Sequence, residues 1–291
     1  MIYSSGQDWR DAPQKRVMLF GMSGLGKTFV STMLRDSGDW FHYSADYRIG
    51  TRYMGEHIAD NFKAEAMKNP FLAELLRTDS VYIASNITFD NLTPLSTYLG
   101  KPGDPAKGGL PIDEYRMRQA QHTVAEIAAM QDTPHFINRA KRLYGYDNFV
   151  CDTSGSICEV VDPENPEDPV LKPLSQVLLP VWIRGSHAHT EELIRRFDRA
   201  PKPMCYRPEF LSAQWDAYLA ARGVAPDAVD PDDFIRFTYA RALAHRQPIY
   251  RAMAENWGVS VDAADVAQVS TAQDFTDLIA HALDARQPPR T

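Results

Sequence analysis

Short apolar runs alternate with longer amphipathic segments along the chain. Apolar runs predict strands at 16–20, 40–45, 148–152, 176–183 and 259–261. The segments between them carry apolar residues mostly at helical spacing, and several are bounded by capping residues. Strands that alternate with helices favour a mainly parallel sheet covered by helices on both faces, which is an α/β three-layer sandwich.

A phosphate-binding motif follows the first predicted strand. The residues Gly21-Met22-Ser23-Gly24-Leu25-Gly26-Lys27-Thr28 fit the pattern G-x-x-x-x-G-K-[ST] at every fixed position, and a helical pattern continues from Phe29. Glycines allow successive backbone N–H groups to point inward, and the helix start adds its positive dipole end. We expect this segment to bind nucleotide, with Lys27 at the β- and γ-phosphates and Thr28 on Mg²⁺.

A carboxylate ends a later strand. In parallel sheets, ligands bind beyond the carboxyl ends of the strands, so the ends at Phe20, Ala45, Cys151 and Ile183 are expected to converge on one cleft. Asp152 there is a candidate for orienting Mg²⁺ or for taking a proton. The small polar residues Thr153 and Ser154 follow and suit close approach of a ligand. The alternative is an ordinary helix-capping turn.

The end of the second strand carries another charged group. Asp46 is a candidate for holding Mg²⁺ or for polarising an acceptor hydroxyl, and Arg48 and Arg52 are candidates for binding an anionic substrate with their guanidinium forks. The alternative is a solvated Asp–Arg pair at a helix start, which contributes little energy.

A basic segment suggests a lid at about 190–210. Arg195, Arg196 and Arg199 are candidates for stabilising the charge of a departing phosphoryl group. The alternative, equally open, is a helix whose basic end complements its dipole.

Two polar regions in the middle of the chain have weaker functional signals. The residues Asp113, Tyr115, Arg116, Arg118, Gln119 and His122 are more typical of a solvated helix face than of an acceptor pocket. The stretch from Leu99 to Pro111 is rich in glycine and proline and predicts a loop, for which mobility is one interpretation.

Length and composition set the domain plan and exclude some functions. Residues 1–15 predict a loose N-terminal arm, and 16–291 a P-loop NTPase domain with a helical insertion at about 54–146. The net charge of −7 argues against nucleic acid as the main partner. Residues 1–16 contain no apolar signal core, no run reaches membrane-span length, and three cysteines without metal-site spacing are typical of a reducing cytoplasm.

The phosphate loop, Asp46 with Arg48, Asp152 and the segment from Arg195 to Arg199 together resemble the P-loop kinase group, which includes shikimate, gluconate and nucleoside-monophosphate kinases. The chain also resembles bacterial proteins described only as ATPases. The kinase resemblance implies that Asp46 and Arg48 meet the acceptor and that the lid arginines clamp the phosphates. The stretch between Asp46 and Asp152 is longer than small-metabolite kinases need.

The sequence therefore favours two functions. The first is a cytoplasmic kinase that uses ATP and Mg²⁺ to phosphorylate a small hydroxylated, anionic metabolite, with Asp46 or Asp152 as the base. The second is an ATPase or nucleotide-driven switch that acts on a protein or nucleic-acid partner. A guanine-reading Asn-Lys-x-Asp motif does not occur in the sequence, which favours ATP over GTP.

Overall fold

A computed structural model describes residues 1–286 and shows a five-stranded sheet. The strands lie in the order β2-β3-β1-β4-β5, and all four neighbouring pairs are parallel. Their bounds are β1 Arg16–Phe20, β2 Trp40–Ser44, β3 Asn148–Asp152, β4 Leu179–Arg184 and β5 Val259–Asp262. Each apolar run predicted as a strand therefore forms one, although the fourth begins three residues later than its run.

Helices make up most of the rest of the described chain. The α-helices are α1 Gly6–Asp11, α2 Lys27–Asp36, α3 Ala45–Arg48, α4 Gly55–Ala66, α5 Pro70–Arg77, α6 Thr93–Leu99, α7 Ile112–Gln131, α8 Thr133–Tyr144, α9 Leu171–Ser175, α10 His187–Arg199, α11 Pro208–Arg222, α12 Pro231–Trp257, α13 Ala263–Val266 and α14 Ala272–Asp284. A π-helical turn spans Ile49–Tyr53, and 3₁₀ turns span Pro105–Lys107, Ile157–Glu159 and Pro226–Ala228. Within residues 1–286, every helix is too short or too polar to cross a membrane.

Helices cover both faces of the sheet. Successive side chains of a strand point to opposite faces, so Trp40 and Tyr43 of β2 project on different sides. The Trp40 ring packs against Phe275 of α14 at a centroid distance of 6.0 Å, and the Tyr43 ring packs against Phe136 of α8 at 5.0 Å. The central strand β1 is accordingly buried from Val17 to Phe20. The predicted three-layer α/β sandwich is confirmed, and with its phosphate loop it is of the P-loop NTPase type.

The chain divides into two compact units. The first joins Met1–Ala45, Ile127–Pro201 and the chain from Arg236 onward, and it contains the whole sheet. The second joins Asp46–Glu126 with Lys202–Ile235 and is largely helical. Of the insertion expected from sequence at about 54–146, residues 54–126 lie in this second unit and 127–146 lie in the first. The second unit also takes in a segment that follows β4.

The N-terminal arm is packed onto the first unit rather than loose. Its helix α1 is capped by the Ser5 side chain, which accepts a hydrogen bond from the Asp8 backbone N–H. The Trp9 indole is fully buried and donates from Nε1 to the Thr276 carbonyl of α14 at 2.9 Å. The Gly6 N–H donates to the Asp284 carboxylate at 2.7 Å. The arm has two large buried side chains, Tyr3 and Trp9, whose rings pack at a centroid distance of 4.9 Å. In sequence they stand isolated among polar residues, so the arm appeared loose.

This packing predicts that Trp9→Ala lowers the free energy of unfolding by about 3–5 kcal/mol, because the substitution leaves a cavity under α1. Urea unfolding followed by circular dichroism measures the change. Gln7→Ala on the exposed side of the same helix is the control and is expected to shift it by less than about 0.5 kcal/mol. If Trp9→Ala lowers the free energy of unfolding by as little as Gln7→Ala does, the arm does not contribute to the stability of the fold.

Candidate nucleotide-binding site

The phosphate loop connects β1 to α2 and uses glycine where its backbone turns. Gly24 and Gly26 have φ angles of +87° and +102°, a region that other residues rarely adopt. Gly26 is the N-cap of α2, so the helix begins at Lys27 with its first N–H groups at the loop. The local sequence therefore dictates this cradle, because each turn depends on a residue within the motif itself.

The Lys27 side chain lies along the loop. It is buried, and its Nζ donates to the carbonyl of Gly21 at 2.9 Å and to that of Met22 at 3.1 Å. These bonds hold the ammonium group against the same backbone that is expected to surround phosphate. A positive charge placed there complements an anion in the cradle.

The Thr28 hydroxyl meets Asp152 at the edge of the sheet. Thr28 Oγ1 donates to Asp152 Oδ2 at 2.8 Å, across 124 positions of sequence. The contact exists because β3 lies directly beside β1, with Leu19 and Asp152 in register. A hydroxyl and a carboxylate are hard oxygen donors of the kind that Mg²⁺ prefers, and Mg²⁺ usually takes only one or two protein ligands beside phosphate and water. The pair fits such an ion.

A histidine that sequence reasoning missed completes this group. His42 is buried in β2, and its Nε2 lies 3.8 Å from Asp152 Oδ2. The strand register places Ser44 beside Asp152, so His42 approaches the carboxylate from the next strand. The only signal in the sequence is a polar residue within an aromatic strand, and that signal does not identify Asp152 as its neighbour.

The turn after β3 is tied to the neighbouring strand β1. The Thr153 hydroxyl donates to the Leu19 carbonyl of β1 at 3.0 Å, and the Ser154 and Ser156 hydroxyls lie 3.2 Å apart. All three side chains are buried. Thr153 and Ser154, the candidates for contact with substrate, thus lie beside the phosphate loop, and the Thr153 hydroxyl also bonds the backbone of the sheet.

Gly155 in the same turn touches the phosphate loop directly. A Cβ atom at Gly155 would lie 2.5 Å from Ser23 Oγ, so any other residue at this position would displace the Ser23 hydroxyl. The Gly155 carbonyl accepts hydrogen bonds from Tyr250 Oη at 2.6 Å and from Arg246 Nη1 at 3.2 Å, both on α12. The position of this turn is therefore set by α12 as well as by β3.

A buried ion pair fixes the arginine. Arg246 Nε donates to Glu159 Oε1 at 2.6 Å, and both side chains are buried. Gln247, the next residue on α12, contacts the Met22 sulfur of the phosphate loop. Sequence reasoning missed these residues because no local motif marks them, and 87 positions separate Arg246 from Glu159.

Of the lid predicted at about 190–210, residues 190–199 lie in α10, which packs on the phosphate loop. A Cβ atom at Gly24 would lie 3.1 Å from Leu193 Cδ2 of this helix. Arg195 is exposed and pairs with Glu192 at 2.8 Å. Arg196 and Arg199 are also exposed, and within residues 1–286 neither forms a hydrogen bond or ion pair. Arg196 lies three residues after Leu193 and so shares its side of the helix.

The predicted acceptor residues belong to the second unit. Asp46 and Arg48 are half-buried, and the Arg48 guanidinium lies 5.6 Å from the centroid of the Tyr53 ring. Arg52 is exposed on the π-helical turn. Such turns are rare in proteins, and those that do occur are often found at functional sites. The structure thus brings Lys27, Thr28 and Asp152 together in one unit and places these three residues in the other.

Four of the six polar residues of α7 form a buried face, not the solvated face that the sequence favoured, whereas Asp113 and Arg116 are exposed as expected. Tyr115, Arg118, Gln119 and His122 are each less than a tenth exposed. Tyr115 Oη and Gln119 Nε2 both donate to the Met204 carbonyl, at 2.9 and 3.0 Å. These polar side chains are buried because they hydrogen-bond to a backbone segment of the same unit. That segment is not part of a strand or helix, so its backbone groups need side-chain partners.

Two acids lie near the histidine of this face. His122 Nδ1 is 3.6 Å from Oε2 of Glu126, whose side chain is fully buried. Burial lowers the pKa of His122, and the negative charge on Asp46 partly opposes that shift. His122 is therefore neutral at pH 7.

Comparisons with known proteins give a distant structural likeness. A scan against models of protein families returned no match, and a search of curated proteins returned none. Among solved structures, the chain is similar to a shikimate kinase from Bacteroides thetaiotaomicron, with 14% sequence identity and a TM-score of 0.41 over 93% of this chain and 99% of that one. At that distance the likeness carries no conclusion about function.

The contact between Gly155 and Ser23 predicts that Gly155→Ala weakens nucleotide binding by at least about tenfold, because the new methyl group displaces the loop side chain. Titration with a fluorescent ATP analogue measures the dissociation constant. The double variant Gly155→Ala with Ser23→Ala removes the opposing hydroxyl and is expected to recover most of the affinity, while Ser23→Ala alone is the control. If the double variant binds as poorly as Gly155→Ala, steric displacement of Ser23 is not the cause.

Proposed function

We propose that the protein is a phosphotransferase that uses ATP and Mg²⁺ to phosphorylate a small, hydroxylated, anionic metabolite. The observation that carries the proposal is the Thr28–Asp152 hydrogen bond beside a complete phosphate loop. It supplies a metal-binding oxygen pair next to the anion cradle, which is the arrangement that phosphoryl transfer requires.

The loop residues act by position and charge. The backbone N–H groups from Gly21 to Thr28 bind the phosphate oxygens, and the Lys27 ammonium group offsets the charge of the β- and γ-phosphates. Thr28 and Asp152 hold Mg²⁺, which neutralises phosphate charge when bound. Because Asp152 Oδ2 already accepts from the Thr28 hydroxyl, we assign Asp152 to the metal rather than to proton transfer.

The acceptor is bound by residues of the second unit. We assign the base role to Asp46, whose carboxylate accepts the proton of the attacking hydroxyl. Arg48 and Arg52 bind the anionic group of the acceptor with their planar guanidinium forks. Arg52 is exposed and forms no ion pair with the residues from 1 to 286. This supports the assignment, because a surface arginine in an ion pair would have to lose that partner first.

Two further features support the cytoplasm as the compartment and ATP as the nucleotide. The three cysteines are buried thiols that are not joined in disulfides, which is typical of proteins kept in a reducing cytoplasm. The sequence contains no guanine-reading Asn-Lys-x-Asp motif, so we propose ATP as the donor.

The metal assignment predicts that Asp152→Asn raises the Mg²⁺ concentration needed for half-maximal turnover about 10–100-fold, because an amide oxygen binds the ion less tightly than a carboxylate. Turnover is measured as ADP formation from Mg²⁺·ATP, with and without a deproteinised small-molecule cell extract. Lys27→Ala is the blank.

The same assay separates a kinase from an ATPase. A kinase forms more ADP when the extract is added and yields a new phosphorylated metabolite. If the rate of ADP formation is unchanged by the extract but rises with a protein or nucleic acid, the kinase proposal is overturned in favour of a nucleotide-driven switch.

The packing of α10 predicts that Arg196→Ala lowers kcat at least about tenfold, because removal of one charge donor from a transferring phosphoryl group costs several kcal/mol in related settings. Arg195→Ala is the matched control, since Arg195 is already paired with Glu192 and lies on the other side of the helix. Steady-state kinetics with saturating Mg²⁺·ATP measure both. A loss with Arg195→Ala that equals the loss with Arg196→Ala would exclude a specific lid role for Arg196.

A further inference from the structure

The second unit contains a cavity of about 610 Å³ that the proposed catalytic residues do not line. Its walls come from residues 89–97, from the glycine-rich loop at 100–108, and from 202–203 and 231–232, all within that unit. Its volume lies in the range of pockets that bind small molecules.

The glycine-rich loop is a fixed wall of this cavity, which corrects its interpretation as mobile. The Gly103 N–H donates to the Leu110 carbonyl, and the Leu110 N–H donates to the Lys101 carbonyl, both at 2.8 Å. The Asp104 N–H donates to the Val229 carbonyl at 2.8 Å. Gly103 has a φ of +144°, and a Cβ there would lie 2.5 Å from the Val229 oxygen. Glycine is required because two backbone segments touch.

This loop presents two oriented lysines to the cavity. Lys101 Nζ lies 2.6 Å from Asp232 Oδ1, and Lys107 Nζ lies 3.3 Å from Asp230 Oδ2. The third lysine of the lining, Lys202, is exposed and forms no hydrogen bond or ion pair within the described part of the chain. Its charge is available to an incoming anion.

Three hydroxyl groups line another wall. Thr93, Ser96 and Thr97 follow the spacing i, i+3, i+4 on α6, so they share one face of the helix and all border the cavity. Phe89 adds an apolar edge, where its ring stacks on Tyr47 at a centroid distance of 4.7 Å. Three lysines outnumber the two carboxylates of the lining, Asp90 and Asp232, so its formal charge is positive. Together with the row of hydroxyls and one ring, this charge suits a ligand that is both anionic and hydroxylated.

We propose that this cavity binds a monosaccharide-sized hydroxylated anion, with Lys202 contacting its phosphate or carboxylate and the α6 hydroxyls hydrogen-bonding its hydroxyl groups. The ligand is an effector of the proposed reaction rather than its acceptor, because the cavity is not lined by Asp46, Arg48 or Arg52, to which the acceptor is assigned. The binding claim itself requires only the cavity and therefore stands apart from the proposed phosphotransfer.

Calorimetric titration of the full-length protein tests the proposal. Saturating ADP and Mg²⁺ are present so that the phosphate loop does not take up the probe. The probes are glucose 6-phosphate and gluconate, while glucose and inorganic phosphate each lack one half of the required chemistry. We expect saturable binding of at least one of the two hydroxylated anions, tighter than that of either control compound. If neither hydroxylated anion binds at millimolar concentration, the proposal is overturned.

Two variants locate the binding. Lys202→Met is expected to weaken binding of the anion about tenfold, because it removes a hydrogen bond to a charged group without disturbing any internal contact. Lys68→Met is the matched control, since Lys68 is an equally exposed lysine of the same unit that lies outside the cavity and pairs with Glu65. Ser96→Ala is expected to reduce the preference for the sugar phosphate over inorganic phosphate. Binding that Lys202→Met leaves unchanged would overturn the proposal.

Turnover then tests the role of the ligand. An effector changes ADP formation or nucleotide affinity and is recovered unmodified. A phosphorylated form of the probe that appears together with ADP would overturn the effector role. The extract assay described above tests phosphotransfer separately, so the anion site stands if that assay fails while the titration remains positive.

Discussion

The hydrogen bond between Thr28 and Asp152 depends on one topological constraint, the insertion of β3 between β2 and β1. The chain leaves β1 towards β2 and returns to the position directly beside β1. Parallel pairing then brings the carboxyl ends of β1 and β3 to the same edge of the sheet, where the order of strands also reverses direction. Ligand-binding groups converge there because every strand delivers its next residue to that edge. The other contacts of the phosphate loop are built around this pair.

The turn after β3 shows how residues of α12 fix the position of a residue that touches the phosphate loop. The Gly155 carbonyl accepts from both Arg246 and Tyr250, and the guanidinium is in turn bound by Glu159. A buried ion pair seldom adds net stability, because taking both charges out of water costs about as much as their attraction returns. Its value here is geometric, since a charged fork with several partners admits few arrangements. The phosphate loop, the turn and α12 therefore form one connected polar group within the first unit.

The second unit illustrates why polar composition did not predict exposure. The polar side of α7 binds the Met204 carbonyl and the Tyr206 N–H, so these side chains serve as partners for a backbone segment inside the unit. The glycine-rich loop likewise looked mobile in sequence because glycine is common in flexible segments. In the structure, Gly103 permits contact with the segment at Val229, and the loop is bonded at both ends. In both cases one local sequence pattern was compatible with two structures, and the segment packed against it determined which of the two forms.

The sequence by itself determined the strands, their alternation with helices and the phosphate loop, because each depends on residues within a few positions of one another. It also identified Asp152, since a carboxylate after an apolar strand must lie at the ligand-binding edge of a parallel sheet. The roles of four residues became apparent only in the tertiary structure: His42, Glu159, Lys202 and Arg246. Their roles depend on which strand lies next to which and on which helix returns to the loop, and those contacts join residues far apart in the chain. No local pattern encodes them, because the energy that selects them arises from burial and pairing across the whole fold.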